Sequence, residues 1–262
     1  MVNTIAFPGL SLGPFHISES IDIFGISIHL YGVIIALGIL VAYFFCSKIS
    51  KEYSLTNDNL LDLIIYGLPS AVICARLYYV IFEWESYKDS LLDIFKIWEG
   101  GIAIYGAVIG ACISSVIYCK VKKISIFNVL DIGAFGLLLG QMIGRWGNFV
   151  NAEAFGMETD LLWRMELVDL GISVHPTFLY ESLWNLAVFI ILFFRKKKNA
   201  FSGETFISYI TLYGLGRVWI EGLRTDSLYL GPLRISQIVA LVCVIAGFTI
   251  IIYKRIKIKK AA

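Results

Sequence analysis

Residues 127–146 read FNVLDIGAFGLLLGQMIGRW. A membrane span needs about 20 mostly apolar residues, and this run supplies them. Its small residues recur in three- and four-residue steps, at Gly133, Gly136, Gly140 and Gly144. That spacing lets membrane helices approach closely. Gln141 and Arg145 stand one turn apart near its end. The run therefore reads as a buried, tightly packed membrane helix with a polar tip.

The rest of the chain agrees with a lipid solvent. Hydrophobic residues make up 58% of the 262 and charged residues 16%, against about a quarter charged in soluble proteins. The net charge of +2 says little as a total. Cys46, Cys74, Cys112, Cys119 and Cys243 fall in or beside apolar segments without C-x-x-C spacing. They read as packing residues, and neither a disulfide framework nor a metal site is expected. The first apolar run follows a stretch lacking Lys and Arg, so it is expected to stay as a span and not as a cleaved signal.

Working outward gives an all-α, polytopic membrane bundle of about seven spans, at 25–45, 60–82, 102–119, 127–146, 177–194, 204–222 and 235–253. The chain reads as one integral membrane domain, 1–262, with a small extracytoplasmic head at 148–176. Basic residues orient it. Lys48 and Lys51 follow span one, Lys120, Lys122 and Lys123 follow span three, and Arg195 to Lys198 follow span five. Lys254, Arg255, Lys257, Lys259 and Lys260 follow span seven. All four clusters fall on one side, which the positive-inside bias makes the cytoplasm. The N-terminus is then outside and the C-terminus inside.

Charges inside a membrane cost about 2.5–3.5 kcal/mol each on insertion scales, so each needs a reason. Arg76, Gln141, Arg145, Glu181 and Asn185 all lie toward the outer ends of their spans. On span six, Tyr213, Arg217 and Glu221 form a stripe at four-residue steps, and Arg224 returns to nearly the same face. The plain interpretation of the stripe is an internal Arg217–Glu221 salt bridge with Arg224 reaching the interface. Several arginines with few matching carboxylates, at the depth of lipid headgroups, point instead to a phosphate site.

The most distinctive segment is Gly144-Arg145-Trp146-Gly147-Asn148-Phe149-Val150-Asn151-Ala152-Glu153-Ala154-Phe155-Gly156. By its residues alone it is a glycine-broken helix end carrying an arginine, two asparagines and a glutamate, equally readable as a polar cap. It closely resembles the signature of the prolipoprotein diacylglyceryl transferases, Gly-Arg-x-Gly/Ala-Asn-Phe-x-Asn-x-Glu-x-x-Gly, and meets every specified position. Leu30-Tyr31-Gly32, Trp98-Glu99-Gly100-Gly101, His175-Pro176 with Leu179-Tyr180-Glu181, and Tyr213-Gly214 extend the likeness along nearly the whole chain.

The resemblance implies a bacterial plasma-membrane enzyme that moves the sn-1,2-diacylglyceryl group of phosphatidylglycerol to the lipobox cysteine of a prolipoprotein, releasing glycerol 1-phosphate. It implies no cofactor and no metal, and as partners phosphatidylglycerol, lipobox peptides and the bilayer, not nucleic acid. Carried onto matching positions, Arg145 and Arg217 are its catalytic arginines. Tyr31, Asn148, Asn151, Glu153, Gly156, Tyr213, Glu221 and Arg224, with Arg145, are its lipid-binding residues. One departure stands out. The family often has histidine followed by two glycines in span three, where this chain has Tyr105-Gly106-Ala107. Tyr105 then takes the third catalytic position. Its ordinary pKa of about 10, against about 6.5 for histidine, makes it a poor base near neutrality.

Other classes fit less well. A transporter or flippase for an anionic lipid could use the same arginines, but it needs polar residues through the cytoplasmic half. An intramembrane protease needs a nucleophilic serine or paired aspartates, and there is no G-x-S-x-G run.

Overall fold

Each apolar run of the sequence becomes a helix, and the short polar runs become the turns between them. The computed structural model describes residues 2–227, 229–231 and 233–261. Its helices are α1 (Leu30–Ile49), α2 (Asn57–Phe82), α3 (Ile104–Lys122), α4 (Ile126–Val150), α5 (Thr177–Arg195), α6 (Glu204–Ile220) and α7 (Ile235–Ala261). Among the described residues six of these are long and apolar enough to cross a membrane. The exception is α6, whose 17 residues rise about 26 Å before a 3-10 turn, Glu221–Leu223, extends it. The protein is a mostly helical, multi-pass membrane protein.

Strands appear where the sequence reading placed none. They are β1 (Val2–Phe7), β2 (Leu12–Ser18), β3 (Ser20–Ile23), β4 (Ile26–His29), β5 (Met165–Leu167), β6 (Ile172–Val174), β7 (Tyr229–Leu230) and β8 (Leu233–Arg234). Four of them make one antiparallel sheet in the order β2-β1-β5-β6. Ile5 pairs with Leu167 and Ala6 with Glu166. The 148–176 segment is therefore half of a folded head whose other half comes from residues 2–18.

The chain divides into two compact units, residues 1–46 with 130–262, and residues 47–129. In the first, α5 packs on α6 and α6 on α7. Phe45, Phe135 and Phe189 form an aromatic cluster with centroids 5.0–5.9 Å apart. The buried Asp131 of α4 accepts hydrogen bonds from the Gly203 and Phe206 amides, at 2.7 and 2.9 Å. It thereby supplies from another helix the cap that the first turn of α6 needs. Above the helices, Ile5, Met165, Leu167, Val174 and Phe178 form a core against Phe149 and Phe155. This core fixes the sheet to the ends of α4 and α5.

In the second unit α2 packs on α3. Gly106 lies against the Cys74 carbonyl and Gly110 against that of Ser70, where a Cβ has no room. The small-residue reading of α3 is thus a close contact. Along α4 it holds unevenly: a Cβ at Gly144 meets Ile35 at 3.2 Å, whereas one at Gly133 or Gly140 meets nothing within 4 Å. Thr56 starts α2 with a capping box, its hydroxyl accepting from the Asn59 amide at 3.2 Å and its own amide donating to the Asn59 side chain at 3.0 Å.

Candidate active site

The site is built where α4, α5 and α6 end. Glu181 sits in the first turns of α5 with its side chain 3% exposed. A buried carboxylate has to be paired, and here three guanidiniums surround one. Arg145 Nη2 of α4 lies 2.5 Å from Glu181 Oε2. Arg217 Nη1 of α6 donates to Oε1 at 2.9 Å, and Arg224 Nη1 reaches the same oxygen at 3.2 Å.

Two further carboxylates complete the cluster. Glu221, 2% exposed, pairs with Arg217 one turn earlier and accepts the Ser227 hydroxyl at 2.9 Å. Asp226 takes Arg224 in a two-point grip, at 2.9 and 2.7 Å. That grip holds the Asp226 carboxyl below the usual carboxylate range. The arginines are thus matched by carboxylates, contrary to the excess read from the sequence. The Arg217–Glu221 salt bridge is present and belongs to the larger assembly.

The signature segment supplies the wall beside Arg145. Arg145 Nη1 donates to Asn148 Oδ1 at 3.2 Å, and Asn148 Nδ2 donates to Glu153 Oε1 at 2.9 Å. Gly147 is buried against Tyr31, whose ring would lie 2.5 Å from any Cβ there. Beyond the helix end, Ala152 and Ala154 both take left-handed φ values, 49° and 56°. Such backbone costs about 1–2 kcal/mol per non-glycine residue and clusters at functional sites. The Thr177 hydroxyl holds this turn through the Ala154 carbonyl at 2.6 Å.

Gly156 then stitches the segment to its neighbours. Its amide donates to the His175 carbonyl at 3.0 Å, and the next amide, Met157, donates to Leu223 at 2.7 Å. A bridge pairs Gly156 with Arg224. A Cβ at 156 would fall 2.6 Å from His175 Cβ and 3.0 Å from the Leu223 carbonyl. Gly156 thereby lets the segment lie alongside the backbone that carries Arg224.

Tyr213 stacks on Tyr209, with centroids 5.7 Å apart, and Tyr209 accepts a hydrogen bond from Gln141 at 2.9 Å. With Glu181, Asn185 and Arg217, Tyr213 lines a narrow recess. The buried Asn185 Nδ2 and Gln141 Oε1 find no hydrogen-bond partner among the described residues. Asn151 is half-buried, with its amide bonded to the Gly147 carbonyl.

The structure therefore brings Arg145, Asn148, Glu153, Gly156, Arg217, Glu221 and Arg224 into one bonded network. Tyr31, Asn151 and Tyr213 flank it, and two further residues of the sequence reading lie in the other unit. Arg76, in the other unit, spends its guanidinium on the backbone carbonyls of Asp93, Ile94, Gly100 and Gly101, at 2.6–2.8 Å. Tyr105, also there, opens α3 with its side chain exposed and its ring 6.3 Å from that of Tyr78. The residue that the sequence reading left unassigned is Glu181, the hub. The available signal was its place one turn before Asn185 in an apolar helix.

Fold and site together define a multi-pass membrane protein with a charge-paired polar cluster where three helices end. Residues 19–253 match the sequence profile of the prolipoprotein diacylglyceryl transferases. A phosphatidylglycerol–prolipoprotein diacylglyceryl transferase of Lysinibacillus sphaericus is 44% identical, over 99% of this chain and 95% of its own. Proteins of the same name from Clostridioides difficile (44%, over 88% and 92%) and Listeria welshimeri (43%, over 91% and 90%) are similar. The chain belongs to the prolipoprotein diacylglyceryl transferase family, and it is a transferase.

Proposed function

We propose that the Glu181 cluster is where this chain carries out the reaction of its family, at the extracytoplasmic face of the bacterial plasma membrane. The enzyme transfers the sn-1,2-diacylglyceryl group of phosphatidylglycerol to the cysteine thiol of a prolipoprotein. A thioether forms and glycerol 1-phosphate leaves, which is the first step of lipoprotein maturation. The peptide is recognised around its lipobox cysteine. The observation that carries this assignment is the convergence of Arg145, Arg217 and Arg224 on one buried carboxylate.

The chemistry follows from what those groups do. The peptide thiol, with an ordinary pKa of about 8.5, is favoured as thiolate near guanidiniums. It attacks the glyceryl carbon that bears the phosphate ester. The carbon–sulfur bond forms, the carbon–oxygen bond breaks, and its electron pair stays on the departing phosphate. Negative charge grows there, so Arg145 and Arg217 stabilise the transition state, with Arg224 as the third fork. Asn148, Asn151 and Glu153 orient Arg145 and the glycerol hydroxyls, and Glu221 and Tyr213 orient Arg217. Tyr31 and Gly156 shape the wall. Tyr105 contributes a hydroxyl that orients the headgroup or the thiol.

The orientation is supported by the lysine and arginine clusters at the C-terminal ends of α1, α3, α5 and α7. Lipid transport is not favoured. Asp131 and Glu204, the buried acids at that basic end, are occupied as a helix cap and as the partner of Arg255.

The test incubates purified protein with phosphatidylglycerol and a lipobox peptide and weighs the peptide. Arg145→Ala and Arg217→Ala are expected to abolish the diacylglyceryl mass increase while the proteins still insert and purify. Tyr105→Phe is expected to lower it clearly. Near-normal transfer by either arginine variant overturns the assignment, and full activity of Tyr105→Phe removes that hydroxyl from the mechanism.

A further inference from the structure

The second unit holds a cavity lined by none of the residues assigned to the transfer. Between α2 and α3, a groove of about 500 Å³ is lined by Tyr66, Ser70, Ile73, Ile113, Ser114 and Ile117, continuing to Tyr118, Val121 and Lys122. Its origin is legible in the two helices. They close tightly at Gly106 and Gly110. Beyond that point α2 carries Pro69, which has no N–H to offer the Ile65 carbonyl and whose ring crowds that turn. The partners of this stretch on α3 are also small, Gly110 and Ser114.

The groove has the dimensions and polarity of one leaflet. From Gly110 to Lys122 the helix rises about 18 Å, against about 15 Å for half of a bilayer's hydrocarbon core. Its apolar rim is open: Ile73, Ile113, Ile117 and Val121 are all exposed. At the mouth the character changes. Lys122 pairs with Asp62 at 3.5 Å, Tyr118 donates to Asp62 at 2.8 Å, and Asn59 donates to Tyr118 at 3.1 Å. Lys120 and Lys123 adjoin this mouth in sequence, and Lys48 and Lys51 belong to the same unit.

We propose that this groove holds one acyl chain of an anionic phospholipid, from the leaflet that these lysines face, with the lipid phosphate at Lys122. Charge selects the headgroup, because an ammonium has three donors and only part of Lys122 is used by Asp62. Polybasic ends of membrane helices attract anionic lipid. Such a lipid would wedge α2 and α3 apart below their glycine contact. It would be a structural ligand, separate from the substrate lipid at the Glu181 cluster.

The experiment uses the full-length protein in phosphatidylcholine nanodiscs, doped with a phosphatidylserine that carries a diazirine midway along one chain. Photolabelled peptides are mapped by mass spectrometry. Label is expected to concentrate on 66–74 and 113–121, and to fall at least fivefold when unlabelled phosphatidylserine competes. Ser114→Phe, which fills the groove, should remove it to the same degree. Ile117→Phe, at an already exposed position, serves as the second filling variant, and thermal midpoints report that both fold. Lys122→Gln should lower labelling by the phosphatidylserine probe but not by a phosphatidylcholine probe. The proposal is overturned if label spreads evenly over exposed positions such as Val242 and Ile245 of α7, or persists in both filled variants. It is also overturned if a lipobox peptide displaces the label, or if cross-links at the groove join two copies of the chain.

Discussion

Glu181 carries more of the site than any arginine, because each of the three guanidiniums is placed by it. Removing one partner of a buried ion pair costs about 3–5 kcal/mol, chiefly by leaving the other charge uncompensated. Glu181→Gln keeps the shape and removes the charge, so Arg145, Arg217 and Arg224 should separate. Transfer activity is expected to fall at least a hundredfold, about 2.7 kcal/mol in the barrier. The mass assay, run beside a thermal midpoint, measures this directly. Activity within a few-fold of the parent would mean that substrate phosphate alone can gather the arginines. At this scale the sequence was informative wherever partners share a helix: Arg217 and Glu221 are four apart, and their pair is real. It was silent where partners come from different helices. Nothing in the linear order says that the acid on α5 meets arginines from α4 and α6, and so the cluster was read as short of carboxylates.

At the scale of elements, the spans were legible and the strands were not. Seven apolar runs became seven helices, with ends shifted by a few residues except at α7, which continues to Ala261. Long apolar periodicity tolerates little ambiguity. The head is harder to read, since β5 and β6 have three residues each, and the first hairpin carries two prolines and two glycines within residues 8–14. The segment joining α2 to α3 is a different case, a run of short 3-10 turns gathered onto one side chain. Arg76 is 6% exposed, lies 4.9 Å from the Tyr87 ring centroid, and gathers carbonyls from both ends of residues 93–101. A guanidinium carries five donors in a fixed fork, enough for these four carbonyls, whereas an ammonium has three. Arg76→Lys keeps the charge, yet trypsin is expected to cut at Lys88 and Lys96 several-fold faster than in the parent. An unchanged digestion rate would show that the segment holds itself.

For the whole molecule, the joint between sheet and helices should make stability depend on pH. Burial pushes the His175 imidazole below its ordinary range, and its Nδ1 lies 3.2 Å from the Tyr180 hydroxyl. A histidine kept neutral when folded contributes stability that is complete above its unfolded value of about 6.5. That contribution is lost as pH falls through the lower folded value, because the unfolded chain binds the proton first. The thermal midpoint in detergent is therefore expected to drop between pH 7.5 and 5.5, and His175→Gln should flatten that slope. Equal slopes for the two proteins would assign the dependence to other groups.

The pairing of Ile5 with Leu167 also bears on how the protein is made. At 5–20 residues per second, synthesis separates the two strands by on the order of ten to thirty seconds. During that interval Ile5, fully buried in the finished head, waits without its partner strand. Four helices, α1 to α4, lie between β1 and β5, an even number, which returns the chain to the side where it started. If one of the four failed to cross, β1 and β5 would be delivered to opposite faces of the membrane and could not meet. Closure of the head thus requires an even number of crossings between its two halves.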